Sequence, residues 1–141
     1  MKTIQSICIL VLTIIITTIS TAQESKHVIE VNITNIKSDT GTLQIGLYNN
    51  KESFLGKPYK SINVKAVKGK VQVYFDNVPE GEYGISLYHD KDGNKKINTF
   101  LGIPTEPYGT SNNAKGRFGP PKWEDAKFTL SDNKAIQNIK L

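Results

Sequence analysis

Val71-Gln72-Val73-Tyr74-Phe75-Asp76-Asn77-Val78-Pro79-Glu80-Gly81-Glu82-Tyr83-Gly84-Ile85-Ser86-Leu87-Tyr88-His89 is the stretch that decides the fold. Val71, Val73 and Phe75 share one side of an extended chain, because successive side chains of a strand point to opposite faces. Pro79 and Gly81 supply turn chemistry, one fixing φ and the other freeing it. Tyr83, Ile85, Leu87 and His89 then fall on one face of the next extended segment. A one-residue slip would turn either apolar set into water, so the alternation specifies the pairing.

The same pattern recurs on both sides of this hairpin. Val31 and Ile33 alternate with Glu30, Asn32 and Thr34. Leu43, Ile45 and Leu47 alternate with Gln44 and Gly46, after the turn Ser38-Asp39-Thr40-Gly41. Ile62 with Val64, then Ala126 with Phe128 and Leu130, and finally Ile139 with Leu141 mark further strands. No segment carries a helical period over ten or more residues. The fold class expected is all-β: an antiparallel two-sheet β-sandwich, immunoglobulin/prealbumin-like, with about seven strands.

One stretch stands outside the pattern. From Thr99 to Glu124 the chain is rich in Gly and Pro, with Phe100, Tyr108, Phe118 and Trp123 between them. Long irregular loops are uncommon in compact domains and are often functional. Disordered segments are poor in aromatics, so a packed loop over one edge or end of the sandwich is expected.

The N-terminus reads as a cleavable export signal, residues 1–22. Lys2 is followed by an apolar run from Ile7 to Ile16, too short to span a bilayer, and Ser20 and Ala22 flank Thr21 as a signal peptidase requires. Cys8 opens the apolar run, where a lipoprotein cysteine would have to end it. The rest, 23–141, reads as a single cysteine-free domain, so disulfide and thiolate chemistry are excluded from it. The formal net charge is +5, of which Lys2 leaves with the signal. Lysines are dispersed and Arg117 is the single arginine, which argues against nucleic-acid binding. The expected location is periplasmic or extracellular, with no membrane span after cleavage.

The sharpest chemical signal is Asp90-Lys91-Asp92-Gly93-Asn94-Lys95-Lys96-Ile97-Asn98. Oxygen side chains at alternate positions (Asp90, Asp92, Asn94), then Asn98, echo a calcium loop, whose hard cation takes six to eight oxygens. Lys95 stands where such a loop needs glycine, and Leu101 where it needs a bidentate glutamate. Glu106 is a later carboxylate that could swing in. The alternative is a turn whose Asp and Asn side chains bond their own backbone. Zinc is disfavoured, because only His27 and His89 remain and no cysteine does. Ser111, His89 and Asp90 make a triad on paper only, without a nucleophile-elbow sequence around Ser111. Tyr108, Phe118 and Trp123 could offer a platform to a sugar ring or peptide, or pin the loop to the core. With Glu106, Asn112 and Asn113 they form the set of candidate ligand contacts.

Gly81-Glu82-Tyr83-Gly84-Ile85-Ser86-Leu87-Tyr88-His89-Asp90, Asp92-Gly93-Asn94, Leu101 to Gly109, Ser111-Asn112-Asn113-Ala114 and Phe118-Gly119-Pro120-Pro121 follow one another in a specific order. In this series the chain resembles the domain-of-unknown-function family 2141. The resemblance implies bacterial export and brings no established activity. This sequence departs from the family pattern at Lys95, where glycine is expected, and at Asn98, where aspartate is expected. Val78-Pro79-Glu80-Gly81-Glu82-Tyr83 is more loosely similar to a turn of prealbumin-like sandwich modules, a likeness of fold that does not fix function.

The expected function is therefore an exported, non-catalytic binding or accessory module. No cofactor is expected, with calcium in the acidic turn as the one candidate, and an envelope protein or polysaccharide is the partner class. A purely structural module of an envelope assembly is the alternative, and an enzyme acting on an envelope polymer comes third.

Overall fold

A computed structural model describes residues 27–141. The expected signal, residues 1–22, and Cys8 lie outside the described residues. The elements are β1 (His27–Ile36), β2 (Thr42–Tyr48), β3 (Lys60–Lys65), β4 (Gly69–Val78), β5 (Gly81–Asp90), β6 (Thr99–Phe100), β7 (Ile103–Pro104) and β8 (Tyr108–Thr110). A 3-10 turn (Ser111–Asn113), a helical turn α1 (Trp123–Ala126), β9 (Phe128–Leu130) and β10 (Lys134–Lys140) complete the described chain. It is all-β, and none of its sheets closes on itself.

One sheet has the order β10-β1-β4, and a second runs β3-β2-β5-β8, with β9 also paired to β5. β6 and β7 form a small separate ribbon. Every ladder among the described residues is antiparallel except β1–β10, which is parallel and sets Ile33 beside Ile139. Alternation reports which side chains turn inward and carries no information on strand direction, so this ladder departs from the antiparallel expectation. Its end is tied by Asn35, which sits at a bulge with φ 65° and donates a side-chain hydrogen bond to the Leu141 carbonyl.

The core joins both larger sheets in one cluster. β1 and β4 contribute Ile29, Val31, Ile33, Val73 and Phe75; β2 and β5 contribute Leu43, Ile45, Leu47, Tyr83, Ile85 and Leu87. Leu130 and Ile139 close it. Each of these side chains, fully buried, stabilises the fold by about 1.5–3 kcal/mol relative to exposure. Ile62 and Val64 of β3 pack against the cluster while only half-buried, as befits an edge strand.

The 99–124 stretch is more structured than expected in one sense and less packed in another. It contains β6, β7, β8 and the Trp123 helical turn, so the strand total exceeds the sequence reading by these short pieces. Ala126 belongs to α1 rather than to β9. Trp123 is buried, yet Phe118 is 96% exposed, Leu101 86% and Phe100 70%. The aromatics there divide between anchors and tips. No helix of the described residues is long and apolar enough to cross a membrane.

Candidate functional site: a groove and its acidic wall

β5 sends Tyr83, Ile85, Leu87 and His89 into the core, so Gly84, Ser86, Tyr88 and Asp90 face the other way. Register extends this outer face across the sheet. Gln44, Tyr88 and Tyr108 form one row, Gly46, Ser86 and Thr110 a second, and Tyr48 lies opposite Gly84. Segments from the long loop and from residues 55–58 rise around these rows. They enclose a groove of about 790 Å³, within the ~300–1,000 Å³ typical of small-molecule sites.

Glycine makes the floor possible. A Cβ on Gly84 would lie 2.8 Å from the Trp123 ring, and one on Gly46 would lie 2.9 Å from the Tyr48 hydroxyl. Trp123 packs edge-on against Phe54, and Phe54 against Tyr48, with ring centroids 5.5 and 5.4 Å apart. Of this aromatic chain, Tyr48 lines the groove. Burial raises the Tyr48 phenol above its ordinary pKa. The Tyr88 phenol is raised as well, first by burial and then by the Asp90 and Glu106 charges.

The acidic turn holds another wall. Asp90 is fully buried, and its Oδ1 accepts from the Gly93 N–H at 2.8 Å while its Oδ2 accepts from the Lys95 N–H at 3.0 Å. Glu106, nearly buried, reaches back to accept from the Lys91 and Asn98 N–H groups, each at 3.0 Å. Asp92 is exposed and accepts from the Asn94 N–H and from the Asn94 and Asn98 side-chain amides. These bonds hold the Asp92 carboxyl below its ordinary pKa, the Asn98 amide foremost and the Asn94 N–H next. Oxygens of Asp90, Asp92 and Glu106 lie within 4.8 Å of one another.

Lys95 takes φ 61°, the left-handed conformation that glycine supplies in a calcium loop. Its departure in sequence is therefore not a departure in backbone, and its side chain lines the groove. Glu106, across β6 and β7, is the third carboxylate that approaches Asp90 and Asp92. Asn94 and Asn98 currently present N–H groups to Asp92, and the Asn98 oxygen accepts from Asn94 at 2.7 Å. A cation would require both amides to turn their oxygens inward.

The remaining candidates separate. Tyr108 and Phe118 line the groove. Trp123 is not among the lining residues and packs against Phe54 and Gly84 instead. Asn112 and Asn113, both left-handed, serve the chain itself: Asn112 donates to the Asp125 and Lys127 carbonyls, and Asn113 bonds both the Asn138 carbonyl and the Lys140 N–H of β10. Ser111 is buried, donates to the Ala126 carbonyl at 2.5 Å and accepts from the Ile85 N–H at 2.8 Å. It therefore sits beside Ile85, roughly 13 Å along β5 from His89. His89 bonds the Thr40 carbonyl on the inner face, opposite to Asp90. Sequence reasoning missed Gln44, Tyr48, Ser86, Tyr88 and Ile97. The available signal was Gly46 and Gly84 beside tyrosines on faces that otherwise read as solvent-exposed.

Fold and site together define an all-β protein with an aromatic groove over one sheet and, in the adjoining turn, a cluster of two buried carboxylates and one exposed. The chain belongs to the DUF2141 family, described as "Uncharacterized protein conserved in bacteria", which it matches over residues 31–138. No curated protein and no solved structure matches it.

Proposed function

We propose that this chain is an exported, non-catalytic binding module whose two larger sheets pack as an immunoglobulin/prealbumin-like β-sandwich and whose ligand lies in the groove over β2, β5 and β8. The observation that carries this reading is the groove itself: Tyr48, Tyr88, Tyr108, several prolines and a few neutral polar groups around one concave space. Aromatic walls with sparse polar groups are the usual composition of a binding pocket. The non-catalytic reading is supported by Ser111, whose hydroxyl is committed to backbone partners, and by its separation from His89. Export rests on the signal-like N-terminus. Mass spectrometry of the protein from its own cells should find a new N-terminus after Ala22.

Titration of the isotopically labelled protein with fragments of envelope polysaccharide, peptides and small amphiphiles tests the groove. Amide shifts should concentrate at Gly46, Ser86 and Thr110. A ligand that shifts only the β4 or β10 edges would sink the groove as the site.

Calcium in the acidic turn is a second reading, favoured by the convergence of Asp90, Asp92 and Glu106. Asn94 and Asn98 would complete the oxygen set after rotation of their amides. Calorimetry with millimolar calcium should give heat and a raised Tm; neither change would end this reading. A purely structural role would be favoured instead by a stoichiometric partner held at a sheet edge while the groove stays empty.

A further inference from the structure

The groove's charge narrows its ligand, and this step rests on the groove being the binding site. Among the residues lining it, the charged ones are Lys95 and Arg117, and no carboxylate joins them. They come from different walls, Lys95 from the acidic turn and Arg117 from the segment before Pro120. Neither has a carboxylate partner among the described residues, although other lysines do. Arg117 instead lies over the Phe118 ring, 5.8 Å from its centroid. The nearby carboxylates, Asp90, Asp92 and Glu106, spend their oxygens on backbone and side-chain amides of the acidic turn.

The rest of the mouth is apolar and exposed. Phe118 and Ile103 line the groove while standing largely in water. Exposed apolar patches of this kind mark interaction sites. An occupant able to cover them needs an apolar body, and two unpaired cations at the rim ask for one anionic group. A polyol would leave the prolines and aromatics unmatched, and a nucleic acid would find too few cations to track its phosphates.

We propose that the groove binds a small anionic amphiphile, an apolar chain or ring bearing a single carboxylate, sulfonate or phosphate, with the anion between Lys95 and Arg117 and the apolar body against Tyr88, Tyr108 and Phe118. Calorimetry of the purified full chain with decanoate, decanol and decylammonium, each below its micelle concentration, tests this. Decanoate should bind at least about tenfold more tightly than decylammonium, the size expected of a charge-assisted contact. Lys95→Gln with Arg117→Gln should abolish that preference, bringing decanoate and decylammonium to equal affinity at an unchanged Tm, since both side chains lie at the surface.

Equal affinity for all three probes, with shifts at Gly46 and Ser86, overturns the anion preference and leaves the groove standing as the site. Shifts outside the groove, unaffected by Tyr88→Ala, overturn the groove reading as well. Adsorption to anionic vesicles without binding of monomeric decanoate overturns the small-ligand proposal in favour of a bilayer surface.

Discussion

The two faces of the β2–β5 pair obey different rules. Inward, Leu43, Ile45, Leu47, Ile85 and Leu87 are essentially dry and meet residues of the other large sheet. Outward, the same strands carry Gln44, Gly46, Tyr48, Gly84, Ser86 and Tyr88 beneath loops that leave a cavity. The inner face is specified by volume and exclusion of water. The outer face is specified by what is left out: missing Cβ atoms at Gly46 and Gly84 admit the Tyr48 and Trp123 rings. A sheet can thus be packed core on one side and line an open groove on the other with no change of strand.

Breaking the inner face should have the largest effect. Leu87→Ala should lose about 2–5 kcal/mol through transfer and cavity costs, measured by urea denaturation. A loss below about 1 kcal/mol would mean that the inner face collapses around the gap, and the contrast would fail.

Gly84→Val attacks the outer face where it is tight. The added methyls meet Trp123, and the expected cost is about 1–3 kcal/mol. The chain has one tryptophan, so its fluorescence should shift to the red as the ring leaves its seat. An unchanged spectrum would show that the ring is not held by Gly84.

Asp90→Ala should cost about 1 kcal/mol for each amide it strands. Exchange should accelerate at Gly93 and Lys95 and stay slow at Ile45 and Leu87. Acidification should loosen the same turn mildly through Asp92. The Asp92 carboxyl lies below its ordinary pKa in the folded protein, so its contribution is complete above the unfolded value of about 4 and is lost as pH falls through the lowered folded value. Amide shifts of Asn94 and Asn98 should titrate in that acidic window while the core resonances do not move. The smallest effect belongs to Tyr108→Ala, expected within about 0.5 kcal/mol of the parent in stability yet weaker in decanoate binding. A stability loss as large as that of Leu87→Ala would make Tyr108 a core residue in disguise.

These differences explain what could be read beforehand. Val31, Ile33, Ile45, Val73 and Ile85 announced the inner face because alternation has a fixed period. Ala135, Gln137 and Ile139 show the same period, but nothing in it says that β10 runs parallel to β1. β6, β7 and β8 are too short to carry any period. The acidic turn was legible as chemistry, since its Asp, Gly and Asn residues are contiguous. Glu106 could be named there only as a later carboxylate able to swing in, because its approach depends on β8 returning alongside β5. The groove was least legible: its floor is written in glycines, and the absence of a side chain leaves no mark until the neighbour that fills the space is known.

The β1–β10 ladder has a temporal consequence. Asn35 and Leu141, joined at its end, are 106 positions apart in sequence. Contacts this distant slow folding, because loop closure must precede their reward. During synthesis from the N-terminus, one flank of β1 stays unpaired until β10 arrives beside it. A period of vulnerability to edge-to-edge association is thereby built into the connectivity.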